Sequence, residues 1–101
     1  MSRRDFPPLN TLRAFCVVMR RGKLCEAAGE LEVTPQAVGH QIRALEEMLQ
    51  IKLFDRRSNG LMPTEQAVLL FHFVRSGFDE LEEGLARISR PPQADRIAKI
   101  S

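Results

Sequence analysis

Residues 24–49, LCEAAGELEVTPQAVGHQIRALEEML, decide how this chain is read. Leu24, Ala27, Ala28 and Leu31 fall at i, i+3, i+4 and i+7, along one face of a short helix. The alanine pair leaves room for a second helix to cross at close range, although alanine is also simply the best helix former. Glu32-Val33 makes the turn. Thr34 then caps a new helix, and Pro35 takes its first position, where a missing N–H costs nothing. Val38, Ile42, Leu45 and Leu49 form the inner face of this helix. Gln36, Gly39, His40, Arg43 and Glu47 are placed on the opposite face. Two short amphipathic helices joined by a tight turn, the second with a polar face, predict a helix-turn-helix.

Upstream, residues 1–8 read as an arm carrying Arg3 and Arg4 and closed by Pro7-Pro8. Asn10 is expected to cap a first helix over 10–21, with Leu12, Phe15, Cys16 and Met19 as its buried stripe. Arg20 and Arg21 suit the negative end of that helix, and Gly22 ends it.

Downstream the period changes. In IKLFDRRSNGLMP, residues 51–63, the residues Ile51, Leu53 and Leu61 look like short-strand positions. Ser58-Asn59-Gly60 reads as a hairpin turn with Asn-Gly in the favoured place, and Arg56 and Arg57 flank its tip. A two-stranded hairpin straight after such a helix is a wing. Thr64 then caps a long helix that runs to about residue 89, before Pro91-Pro92. Phe71, Val74, Phe78, Leu81, Leu85 and Ile88 alternate spacings of three and four along it, the seam of a helix that pairs with another helix. At ~1.5 Å per residue this helix is roughly 37 Å long. Its start, around Ala67 to Phe73, is expected to pack on its own domain; from Phe78 onward the seam is expected to meet a second chain.

The expected fold is mainly α: a winged helix-turn-helix over 1–63, three helices plus a two-stranded wing, followed by a long linker and dimerisation helix over 64–89. Residues 90–101 read as a hinge or linker, whose last residues, 96–100, could begin a strand of something beyond this chain.

A chain of 101 residues suits one domain with a modest core. Hydrophobic residues at 44% with 28% charged argue against disorder. No apolar run approaches a bilayer span and the N-terminus lacks a signal-peptide core, so the expected location is cytoplasmic, away from membranes. The net charge is +2, with ten Lys/Arg against seven Asp/Glu in residues 1–63 and five against six in 64–101, so the first part better suits a polyanion. Cys16 and Cys25 have no CxxC or zinc-ligand spacing and read as reduced, partly buried small hydrophobes.

Reading DNA needs an exposed helix face whose donors and acceptors reach base edges in the major groove. Gln36 suits adenine, Arg43 guanine or a phosphate, and His40 the guanine edge. The hydroxyl of Thr34 and the amides opening the second and third helices suit phosphates. Arg56 and Arg57 suit phosphates or an adjacent minor groove. Taken singly, each polar residue would usually just meet water; their order carries the weight. Catalysis has little to work with. His40 and His72 are the only histidines, and no Gly-rich phosphate loop, HExxH or GxSxG is present. The expectation is a non-enzyme without cofactor, metal or small-molecule effector site in this chain.

At VTPQAVGHQIRALEEML the sequence closely resembles the N-terminal DNA-binding domain of LysR-type transcriptional regulators. The resemblance runs from PPLNTLRAF through LFDRRSNGLMPTEQA into the long helix, about residues 7–89. It implies a dimer that binds an interrupted palindrome in bacterial promoters, with DNA read by residues matching Pro35, Gln36, Gly39 and His40 and by a wing arginine matching Arg56. It also implies that residues 90–101 are a hinge toward a C-terminal effector domain, which makes this chain an excised DNA-binding domain. The sequence departs from the pattern at five positions in three places. Gly39 stands where most relatives have Ser, Lys23-Leu24-Cys25 where Ser-Phe-Thr is usual, and Gln50 where Gly is usual. A competing expectation is a truncated relative that heterodimerises with a full-length regulator and antagonises it through the same seam.

Overall fold

A computed structural model describes residues 6–58 and 60–89. The chain order is α1 (Leu9–Arg21), α2 (Leu24–Leu31), α3 (Pro35–Leu49), β1 (Phe54–Arg57), β2 (Gly60–Pro63) and α4 (Glu65–Ile88). The expected hinge over 90–101, the arm arginines Arg3 and Arg4, and Asn59 of the hairpin turn lie outside the described residues.

The three N-terminal helices close around Phe15, which is fully buried. Its ring meets Phe54 of β1 at 5.9 Å and Phe71 of α4 at 6.4 Å between centroids, so one aromatic side chain joins the helical domain, the wing and the long helix. Ala27 and Ala28 are buried against this core together with Val38, Ile42 and Leu45 of α3. The alanine pair therefore does admit the crossing helices.

Each helix end has a local cause. Gly22 closes α1 in the left-handed region, φ 81°, with its N–H donating to Val18 O. Thr34 Oγ1 accepts the Ala37 N–H at 3.1 Å at the head of α3. Thr64 Oγ1 accepts the Ala67 N–H at 3.2 Å at the head of α4 and itself donates to Lys52 O at 2.7 Å, tying the helix start to the segment before the wing. Glu32 and Gln50 end α2 and α3 with φ of 61° and 58°, left-handed positions filled by residues other than glycine.

The structure corrects the sequence in several places. Asn10 is not the cap of α1: the helix begins at Leu9, and Pro8 takes the cap position with no side-chain cap bond. The amides of Thr11 and Leu12 donate to Pro8 O instead. Ile51 and Leu53 precede the sheet rather than forming it. The wing is an antiparallel pair in the register Phe54↔Pro63, Asp55↔Met62, Arg56↔Leu61 and Arg57↔Gly60. Leu53 is wholly buried as a core plug, and that burial produced its strand-like signal. Gly60 is not part of the turn: it begins β2 as the partner of Arg57. Cys25 is exposed and only Cys16 is partly buried, where burial pushes its thiol pKa up despite nearby Arg20, Arg13 and Arg75.

Along α4, Phe71, Val74 and Phe78 pack against the domain's own core. The seam therefore turns outward one step later than the expected Phe78. Leu81, Leu85 and Ile88 are 51%, 66% and 87% exposed, and with them the outward part begins. No helix among the described residues is long and apolar enough to cross a membrane.

Candidate nucleic-acid interface

The second helix of the helix-turn-helix presents its start to solvent. Thr34, Pro35, Gln36, His40 and Arg43 are all exposed, while Val38, Ile42 and Leu45 on the same helix are buried. This split is the amphipathic pattern working as expected: the apolar stripe is drawn into the core, and its far side is left for donors and acceptors. The head of α2 adds uncapped amides, since Lys23 contributes no side-chain cap bond.

Gly39 behaves differently from the other expected reading residues. It is buried. A Cβ built on it would lie 3.4 Å from Leu24 Cδ1, 3.9 Å from Arg43 Nη1 and 3.9 Å from Arg56 Nη2. The position is thus the floor of a cleft between α2, α3 and the wing, and it does not share the exposed face of Gln36 and His40. Its placement on the opposite face came from helical period alone, which cannot see the side chains of Leu24, Arg43 and Arg56 folding over it.

Arg56 and Arg57 are adjacent on β1 and both exposed. Successive strand residues point to opposite faces. Arg56 is the one that turns toward α3, as its approach to Gly39 shows, so Arg57 lies on the other side of the hairpin. The wing is seated by the Leu61 N–H, which donates to Gly22 O at 3.1 Å. It is also held by Glu46, whose Oε2 accepts the amides of Leu53 at 2.8 Å and Phe54 at 3.1 Å.

Glu46 and Lys52 were not picked out from the sequence. Both line the cleft with Arg43 and Arg56. For Glu46 a signal was present: it falls at i+4 from Ile42 in the row Ile42, Leu45, Glu46, Leu49, a carboxylate on an apolar stripe. Such a group is retained where it meets donors. Lys52 carried no signal.

Of the six expected dimerisation residues, Leu81, Leu85 and Ile88 are exposed, while Phe71, Val74 and Phe78 are partly covered by the protomer itself. Within the stretch Ala67 to Phe73, expected to pack on its own domain, Val68, Leu69 and Phe73 are instead exposed, at 54%, 62% and 64%, because they lie on the side of the helix away from the core that Ala67, Leu70 and Phe71 meet. Phe73, Gly77 and Leu81 line an apolar groove with Phe6 and Leu9 from before and within α1. His72 lies on the surface, its ring edge-on to Phe73 with centroids 5.2 Å apart.

Residues 9–68, all three short helices, the wing and the head of α4, match the bacterial regulatory helix-turn-helix proteins of the lysR family. The chain belongs to that family. Among lysR-family relatives it is 48% identical over 88 residues to the HTH-type transcriptional activator AmpR of Rhodobacter capsulatus, covering 87% of this chain and 30% of that protein. It is 42% identical over 82 residues to the HTH-type transcriptional regulator PerR of Escherichia coli, covering 81% of this chain and 28% of that protein. The structure superposes with a TM-score of 0.73 on Vibrio fischeri DarR solved in complex with DNA, at 28% identity over 81% of this chain and 28% of that one. The chain therefore spans less than a third of the length of these lysR-family proteins. It carries their winged helix-turn-helix and the helix that follows it.

Proposed function

We propose that this chain binds double-stranded DNA sequence-specifically, as a homodimer, to regulate transcription. The observation that carries the reading is the exposed row Pro35, Gln36, His40 and Arg43 on α3, with Arg56 of the wing closing beside it. In this reading α3 lies in the major groove with Gln36 and His40 on base edges, and the wing with Arg56 and Arg57 meets the backbone or the neighbouring minor groove. Thr34 keeps its hydroxyl proton for a phosphate while its oxygen caps the helix.

The second copy is brought by α4. Leu81, Leu85 and Ile88, extended by Phe73 and the groove beside Gly77, form an exposed apolar surface of the kind that serves protein–protein contact. Two readers held by one dimer then face two half-sites, the arrangement that makes an interrupted palindrome the natural target. The place of action is the cytoplasm, where a bacterial promoter is found.

The test selects bound duplexes from a random pool and titrates the selected sequence against a scrambled one. Gln36→Ala and His40→Ala are each expected to lose about 1–3 kcal/mol of discrimination. Arg57→Ala is expected to weaken both duplexes alike. Leu85→Glu is expected to halve the mass in sedimentation. Binding that never rises above the scrambled level would refute the assignment.

A further inference from the structure

The cleft between α3 and the wing brings together two guanidiniums that have no ion-pair partner among the described residues. Arg43 Nη1 and Arg56 Nη2 each lie 3.9 Å from the same point, the place where a Cβ on Gly39 would be. Leu24 Cδ1 stands 3.4 Å from that point and gives the cleft an apolar wall. Among the described residues, neither guanidinium forms an ion pair; the pairs present join Arg20 and Arg21 to Glu30 and Arg87 to Glu83. The one carboxylate in the cleft, Glu46, is turned to the amides of Leu53 and Phe54. Lys52 adds a third positive charge to the same cleft of about 240 Å³. Like charges gathered without a partner are unfavourable, and an anion bound between them removes the penalty.

We propose that Arg43 and Arg56 form a two-guanidinium clamp that takes a single DNA phosphodiester, the one on the strand passing between recognition helix and wing. The inference rests on the DNA-binding reading and goes further, because it assigns both arginines to one phosphate and removes Arg43 from base reading. The geometry favours a phosphate over a base. A helix in the major groove and a wing at the adjacent minor groove are separated by one backbone strand, so a cleft between them faces that strand. Arg43 also sits past the middle of α3, C-terminal to Gln36 and His40, whereas base contacts come from the N-terminal residues of such a helix. A phosphodiester has two non-bridging oxygens, one for each planar guanidinium, and such pairing is what arginine geometry suits. Gly39 acts as a positioning residue here: lacking a side chain, it leaves the space between the two guanidiniums to the ligand.

The experiment measures the dependence of binding on salt for the wild-type chain, Arg43→Ala, Arg56→Ala and the double variant, on a mixed-sequence duplex of about 30 base pairs. Each neutralised phosphate contributes about 0.9 to the slope of log K against log salt. A shared phosphate is expected to leave the slope of each single variant close to wild type, because the remaining arginine still neutralises it, while lowering affinity. The double variant then loses about 0.9 per bound protomer. Independent phosphates would take about 0.9 from each single variant and about 1.8 from the double, and that result overturns the clamp while leaving DNA binding intact. An unchanged slope in the double variant, with altered sequence preference, overturns it in favour of base contacts. A wild-type chain that binds no duplex at all overturns the clamp and the function together. Both side chains are exposed, so thermal unfolding of all four proteins at matching midpoints confirms that folded chains are compared.

Discussion

Glu46 Oε2 accepts the backbone N–H of Leu53 at 2.8 Å, a bond from the last turns of the recognition helix to the residue that leads into the wing. Leu53 is fully buried, so its amide has no water to turn to. The same oxygen takes the Phe54 amide. One carboxylate therefore sets the angle between the two elements that carry the proposed DNA contacts. Glu46→Ala is expected to cost about 1.5–3 kcal/mol, the range for losing charged hydrogen bonds that leave buried donors unpaired. Glu46→Gln keeps an acceptor oxygen and should lose clearly less. Urea unfolding of the three proteins measures both.

The wing's second anchor is a close backbone approach. Gly60 has φ 135°, and a Cβ there would stand 3.0 Å from Gly22 O, the carbonyl that receives the Leu61 N–H at 3.1 Å. Gly60→Ala must therefore strain the backbone and push the wing off the α1–α2 corner. A loss of about 1–3 kcal/mol is expected. Weaker amide protection of Leu61 in hydrogen exchange would show that the wing has lifted.

At the end of α3 the balance runs the other way. Gln50 holds φ 58°, which costs a residue with a Cβ about 1 kcal/mol or more. Its side chain recovers part by donating to Glu47 O at 2.8 Å on the surface. Gln50→Gly is expected to stabilise the domain by about 0.5–1 kcal/mol, read as a higher urea midpoint at unchanged slope. A lower midpoint would show that the side-chain bond outweighs the strain.

Gly39 offers a second gain. A methyl group there meets Leu24 Cδ1 at 3.4 Å, an ordinary contact, and the residue lies inside a helix. Gly39→Ala should raise stability by about 0.5–1 kcal/mol. The check is a thermal midpoint above that of the wild type.

Arg20 and Arg21 both donate to Glu30, at 2.6 and 2.9 Å, joining α1 to α2 across the surface. Those hydrogen bonds hold the Glu30 carboxyl below its usual pKa. A carboxylate with a lowered folded pKa stabilises the fold above its unfolded value, and the contribution disappears as pH falls through the folded value. Glu30→Gln should therefore be less stable than wild type at neutral pH, with the gap closing on the acid side. Unfolding midpoints of both proteins between pH 7 and pH 3 test the sign.

Much of the site was legible in residue order. Thr34-Pro35 announced the start of α3, and the stripe of Val38, Ile42 and Leu45 told which side would be free, because capping and amphipathic period are local effects. The wing was legible as an element and misplaced in register. Leu53 reads as a strand residue from its apolarity, yet that apolarity serves the core beneath the sheet.

What the sequence determined by itself was the set of helices, the hairpin and the exposed donors of α3, each set by interactions within about four residues along the chain. Only the tertiary structure decided what Gly39, Glu46 and Phe78 do. Gly39 becomes a cleft floor because Leu24, Arg43 and Arg56 arrive over it from three different elements. Glu46 becomes a hinge pin because two amides seven and eight residues away both donate to its carboxylate. Phe78 turns to its own core because α4 is laid across α1 through Phe15 and Phe71. Period and propensity carry no information on contacts between distant segments, and those contacts settle whether a helix face meets water, its own domain or a partner.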